Sequence, residues 1–278
     1  MIHPDNLILK DMALYTGMEL TGKLVSYTGP ILGFVYSLLP SGIYAVSEND
    51  IWFVDGNIHH WDGQNITSYP IGNFPGNPNP ILEEGQYPER IWASSDIAYT
   101  VGRQGAVAYF NGTDWIKIDA STDGDILDIS ASESSETTVF CPLNFVQNTG
   151  LNKIFKISQN NKIEFLDYNK GTVLSVWIKK GNFEYACGSR LSNNKNGNWE
   201  EINFGEGHLL TRIRGNDLND IFVVGTYGFA GHYNGVDWKQ FSEISQPTYQ
   251  FKSISVKGDL VVIVGVQNQK GVIIMGTR

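Results

Sequence analysis

The chain has 278 residues, 41% of them apolar and only 18% charged, against roughly 25% charged in an average soluble domain. Its 20 basic and 29 acidic residues leave a net charge of −9, so there is no basic surplus for neutralising nucleic-acid phosphates. No run of 18 apolar residues suggests a membrane-spanning helix, and two cysteines, Cys141 and Cys187, are too few for a disulfide framework.

In chain order, residues 1–33 hold strand-like pieces at Leu7–Leu9 and Lys23–Tyr27, and a repeat begins near Gly42. Its clearest copies start at Asn49-Asp50-Ile51, Ser95-Asp96-Ile97 and Asn219-Asp220-Ile221. They run on to Trp61-Asp62-Gly63, Phe110-Asn111-Gly112 and Tyr233-Asn234-Gly235. The turn glycines Gly63, Gly112, Gly197 and Gly235 lie 49, 85 and 38 residues apart, the middle gap holding two copies, one of them degenerate. A period of about 40 to 49 residues matches a four-stranded propeller blade. Asp-Gly or Asn-Gly between apolar runs predicts a type I′ hairpin turn, which needs positive φ at both central residues. The run Ile221-Phe222-Val223-Val224 predicts a strand buried on both faces. No stretch carries helical periodicity over a dozen residues.

The expected fold is therefore all-β: residues 1–278 form a single six-bladed β-propeller of four-stranded antiparallel blades. The blades start near residues 42, 90, 126, 174, 209 and 251. The last copy stops after three strands, so a strand from residues 1–33 is expected to close the ring; seven blades follow if that segment builds more than one strand.

The Asn-Asp-Ile-x-x-Val-Gly and His-Tyr-Asn-Gly-x-x-Trp patterns resemble secreted bacterial β-propeller repeat proteins with loose similarity to BNR/Asp-box repeats. The resemblance covers about residues 40 to 278. It departs from the Asp-box spacing, since Asn111-Gly112-Thr113-Asp114-Trp115 keeps the turn and the Trp alone. It implies an extracytoplasmic setting, although Met1-Ile2-His3-Pro4-Asp5 carries no export signal.

Site candidates follow from the repeat. The innermost strands align at Tyr44-Ala45-Val46, Arg90-Ile91-Trp92, Asp128-Ile129-Ser130, Ser175-Val176-Trp177, Arg212-Ile213-Arg214 and Ser253-Ile254-Ser255. If the apolar middle residue points into the blade packing, the outer two share a channel face. Tyr44, Arg90, Trp92, Asp128, Trp177, Arg212 and Arg214 would then form a ligand-binding ring for an anionic sugar or a peptide carboxylate. The competing reading is that these residues fill space and hold water. The connection 70–89, with five prolines and Glu83-Glu84, is long for a loop without structure of its own. Phe74, Ile81, Leu82 and Tyr87 in it are expected to meet a partner, unless it is simply a solvated loop.

Other features read as structural. Asp50, Asp96 and Asp220 recur in separate blades and are expected to cap turns through backbone N–H groups. His60, Tyr109 and His232 share one blade position, expected to serve packing or hydrogen bonding, while His59 faces the other way. Asp119–Asp125 resembles a calcium loop but has Ser130 where the closing Glu belongs. Buried Cys187 behaves as a small apolar residue.

No catalytic residue, metal or cofactor is expected. The favoured function is a non-catalytic binding module presenting loops and a channel mouth to a glycan or a protein. A carbohydrate-active enzyme and a periplasmic assembly factor are the alternatives. A monomer is expected, with neither nucleic acid nor membrane insertion.

Overall fold

The computed structural model describes residues 41–132, 139–144, 153–158, 160–166, 168–179, 183–195, 197–268 and 270–277. The chain divides between Leu166 and Asp167 into two compact units. The expected closing segment, residues 1–33, lies outside the described residues.

The first unit holds three antiparallel sheets. One is β1 (Gly42–Ser47), β2 (Asp50–Val54), β3 (Ile58–Trp61) and β4 (Ile66–Tyr69). The next is β5 (Tyr87–Ala93), β6 (Ala98–Arg103), β7 (Val107–Phe110) and β8 (Trp115–Lys117). The third joins β9 (Asp125–Ile126), β10 (Ser130–Ala131), β11 (Val139–Asn144), β12 (Lys153–Ile157) and β13 (Ile163–Leu166). The second unit begins with β14 (Val173–Lys179), β15 (Phe183–Gly188), β16 (Leu191–Lys195) and β17 (Asn198–Ile202). Its second sheet is β18 (Leu210–Asp217), β19 (Asp220–Gly225), β20 (Ala230–Tyr233) and β21 (Trp238–Gln240). Its third has β22 (Tyr249–Lys257), β23 (Leu260–Gln267) and β24 (Lys270–Thr277) alone.

Each sheet runs in chain order, the signature of a propeller blade. Five complete blades stand where six were expected, because the last sheet has three strands among the described residues.

The third sheet owes its extra strand to Pro142. Phe140 and Val139 pair with β10, and Leu143 and Asn144 pair with β9, while Cys141 and Pro142 pair only with β12. Proline has no N–H to give a ladder, so the strand facing it breaks in two.

Apolar packing lies between blades. In β19 all six residues are buried, as its unbroken apolar run predicts. Phe222 and Val224 join one cluster while Ile221 and Val223 join another. Burying each such side chain stabilises by roughly 1.5–3 kcal/mol.

The turns reverse the expected chemistry. In the β7–β8 turn, Gly112 has φ 97° but Asn111 does not take positive φ. The Asn111 side chain instead accepts the N–H groups of Thr113 and Asp114. Asp62 and Asn234 serve the same way in their blades. Two consecutive positive φ values occur one turn earlier, at Gln104 (50°) and Gly105 (69°), and at Tyr227 (58°) and Gly228 (69°). The bonds Ala106 N–H to Arg103 and Phe229 N–H to Thr226 close these as type I′ turns.

Candidate functional site

The connection between β4 and β5 is pinned at its base. Ile71 and Leu82 are buried in the same cluster as Trp52 and Trp115. The Ile71 carbonyl accepts the N–H groups of both Ile81 (3.0 Å) and Leu82 (2.9 Å). Asn77 Nδ2 donates to the Gly72 carbonyl at 2.7 Å, bracing the projecting part. The expected unstructured connection is thus a compact loop standing on an apolar foot.

That anchoring separates the four partner-loop candidates. Phe74 and Tyr87 are 40% and 44% exposed and offer ring surface, with the Tyr87 hydroxyl donating to the Asp55 carbonyl. Ile81 is half-buried against the core. Leu82, 2% exposed, cannot meet a partner: it is the loop's anchor.

Beside this loop lies an open cleft of about 500 Å³, lined by Glu83, Glu84, Gln86, Gln104, Lys117, Asp119, Thr122 and Asp123. One wall is the end of the connection, held by a Gln86 side-chain bond to the Gln104 carbonyl at 3.1 Å. The floor is the type I′ turn at Gln104-Gly105. Gly105 N–H donates to the Gly124 carbonyl, and Gln104 N–H to Asp125. The far wall is the β8–β9 connection, where Asp119 accepts the N–H of Ser121, itself at φ 51°. Four carboxylates thus surround one ammonium, that of Lys117, which pairs with Glu83. Such a cleft draws cations. Each exposed ion pair contributes only about 0.2–1 kcal/mol, so useful affinity needs several at once.

The sequence reading found Glu83 and Glu84 but took 119–125 as a bland turn. The signal was present in Glu83, Glu84, Asp119 and Asp123, but only the fold brings the two connections together across one blade. Among the described residues, no group of three or more His, Cys, Asp or Glu is placed to hold a metal ion. None of their helices is long and apolar enough to cross a membrane.

The ring candidates divide between the units: Tyr44, Arg90, Trp92 and Asp128 in the first, Trp177, Arg212 and Arg214 in the second. The apolar middle residues Ile91, Ile129, Val176, Ile213 and Ile254 are buried, as expected. Trp92 and Trp177 are buried in apolar clusters, and Tyr44 packs 6.0 Å from Trp92, centroid to centroid. In β1 alone Tyr44 and Val46 face the packing while Ala45 is exposed, the reverse of the expected alternation. The physical reason is that side chains project from the two faces of a sheet, and those faces pack blade on blade. An innermost strand turns its backbone edge, not a row of side chains, away from its own sheet. Asp128 is fully buried in the break between β9 and β10, and Arg212 is buried in β18. Arg214 spends one nitrogen on Ser175 Oγ and on the carbonyls of Val176 and Ile213, tying β18 to β14. Arg90 donates to the carbonyls of Ser41 and Glu89.

The aligned acids also differ from expectation. Asp50 and Asp220 do not act only as backbone caps: they accept from His60 (2.8 Å) and His232 (2.9 Å), one strand away. His59 and His60 do face opposite ways, stacking on Phe53 and Trp52 respectively. Cys187 is buried, its thiol 3.7 Å from the Leu210 carbonyl.

No protein-family model matches the chain, and no curated protein sequence matches it. Its likeness is to solved propellers. A structure of YCF48 bound to a D1 peptide superposes with a TM-score of 0.62 at 15% identity, over 86% of this chain and 77% of that one. The WD40 propeller domain of Doa1 gives 0.55 at 10% identity, over 84% and 92%. A luciferin-regenerating enzyme gives 0.56 at 10% identity, over 87% and 92%. At these identities the likeness establishes the β-propeller fold, which hosts binding and catalysis alike.

Proposed function

We propose that the chain is a binding module that holds a basic, extended segment of a partner protein in the cleft between Glu83 and Asp123. The observation that carries this reading is the cleft itself: four carboxylates and one lysine line it, on the connection that also carries the exposed ring of Phe74. Lysine or arginine side chains would pair with the acids, and an apolar neighbour would lie on the ring. A peptide-bound propeller among the structural neighbours is consistent with this use of the fold. The extracytoplasmic setting and the monomeric state belong to the same proposal, and cell fractionation and light scattering test them.

The direct test is fluorescence anisotropy with a labelled nona-arginine peptide at low and high salt. Saturable binding is expected, weakening steeply as salt screens the exposed charges. The triple variant E84K/D119K/D123K should weaken it more than tenfold. Absence of saturable binding, or binding indifferent to charge reversal, removes the proposal.

A further inference from the structure

Asp55, whose backbone carbonyl accepts from Tyr87, belongs through its side chain to a relay of three polar side chains that the binding function does not use. His59 Nδ1 lies 2.8 Å from Ser68 Oγ, and His59 Nε2 lies 3.0 Å from Asp55 Oδ1. An ionised carboxylate only accepts, so Nε2 carries the proton. Nδ1 then presents its lone pair to the serine, whose hydroxyl donates. This is the arrangement of nucleophile, base and orienting acid by which enzymes activate a serine.

The local fold holds the relay in place. His59 on β3 sits directly opposite Ser68 on β4. The Asp62 N–H bond to the Asn65 carbonyl fixes the phase of that ladder. Counting down from it in alternation makes His59 and Ser68 a non-hydrogen-bonded pair, in which side chains approach most closely. The imidazole is 8% exposed and stacked on Phe53, with ring centroids 4.8 Å apart and planes 16° from parallel. Asp55 is steadied by the Asn57 N–H at 3.2 Å. Ser68 itself is exposed. A buried, oriented base therefore faces an open hydroxyl. The same ladder phase turns the Ser68 N–H away from β3, and among the described residues no strand lies beyond β4 in its sheet. That N–H is placed to meet negative charge developing on an oxygen beside Oγ.

We propose that Ser68 is an acylatable nucleophile, activated by His59 and Asp55, toward small unhindered activated esters. Ser68 Oγ bonds to the acyl carbon as its proton passes to His59 Nδ1. The carbon–oxygen bond to the leaving group then breaks, and the leaving alkoxide departs with that proton or, if weakly basic, without it, in which case His59 releases the proton to solvent before the next step. Water reverses the sequence: it yields a proton to His59, its oxygen bonds to the acyl carbon, and Ser68 Oγ leaves and is reprotonated. Asp55 stays ionised throughout and orients the ring. Among the described residues the β4 edge is not walled by a further strand, hence the small substrate class. This proposal is independent of the cleft, and either can fail alone.

The test is covalent labelling of the intact chain with an alkyl fluorophosphonate, in which Oγ–P forms and fluoride leaves. Tandem mass spectrometry reads the site. One adduct is expected, on Ser68, absent in S68A and slowed at least tenfold in both D55N and H59Q. A one-equivalent burst of nitrophenolate from p-nitrophenyl acetate should be lost in the same variants. D55N keeps the carboxyl's size, and its unchanged melting temperature separates slowed labelling from unfolding. No adduct at Ser68, or an adduct formed at the same rate in D55N and H59Q, overturns the proposal, because the bonds would then only tie β3 to β4.

Discussion

Asp220 accepts the Nε2 proton of His232 at 2.9 Å, with both side chains buried and the imidazole stacked 4.2 Å from Phe222. The same bond recurs in the first blade between Asp50 and His60 at 2.8 Å, over Trp52. The two differ in solvent. The side chains of the first pair are 6% and 11% exposed, those of the second 24% and 26%. Removing one member of a buried pair costs up to about 3–5 kcal/mol, although Asn216 Nδ2 still donates to Asp220 at 2.6 Å, whereas water repairs an exposed one. H232A should therefore lower unfolding free energy by that amount in urea titration, and H60A by about 1 kcal/mol. Equal losses would mean that burial does not set the cost.

That pair also marks where the sequence stops being legible. The repeat made Asp50, Asp220, His60 and His232 visible one by one, because each recurs at a fixed place. Their pairing is a cross-strand diagonal: Trp52 opposes His60, and Asp50 is two residues away on the same face. Nothing in a linear spacing announces it. The hairpin turns were legible as turns but not by type. An asparagine or aspartate that caps the turn with its own side chain removes the need for a second positive φ. Gln104 and Tyr227 take the left-handed conformation although neither is a usual type I′ residue. The blades were read from glycine and tryptophan spacing. Alternation identifies two faces of an innermost strand without saying what each face meets.

Gly105 tests how tightly the cleft floor is built. Its φ is 69°, and an added Cβ would land on the Thr122 carbonyl oxygen. Gly258 has a similar φ of 57° with open space around it. Both alanine variants carry the left-handed penalty of about 1–2 kcal/mol, but only G105A must also displace backbone in the β8–β9 connection. G105A is expected to lose clearly more stability than G258A and to weaken cationic-peptide binding, while G258A binds normally. Equal melting temperatures would show that the connection yields freely.

The loop between β4 and β5 predicts a split between anchor and tip. Leu82 is buried with Ile71, Trp52 and Trp115, so L82A should cost about 2–5 kcal/mol, the usual loss for truncating a buried leucine. Phe74, exposed at the tip, should cost stability almost nothing as F74A, yet reduce peptide affinity several-fold if its ring is a contact. A destabilised F74A with unchanged binding would place the ring in the fold instead of the recognition surface.

Tyr168 gives the pH dependence a definite sign. It is 3% exposed, packs edge-on to Trp199 at 5.2 Å, and has its hydroxyl 3.4 Å from Ser192 Oγ. Burial disfavours the phenolate and pushes its pKa up to about 12, against 10.0 when free. The folded state thus holds its proton longer than the unfolded state does. The resulting stability is fully present below pH 10 and is lost as pH rises through about 12, a swing of roughly 2–3 kcal/mol. Tyr69, Tyr99 and Tyr185 are shifted the same way by burial, so the wild-type slope has several contributors. Y168F isolates one of them: it keeps the ring against Trp199 and removes the titrating group. Urea titrations between pH 9 and pH 11.5 should show stability falling less steeply in Y168F than in wild type. Parallel curves would mean that Tyr168 ionises as readily in the fold as in the open chain, and that the packing around Trp199 admits water.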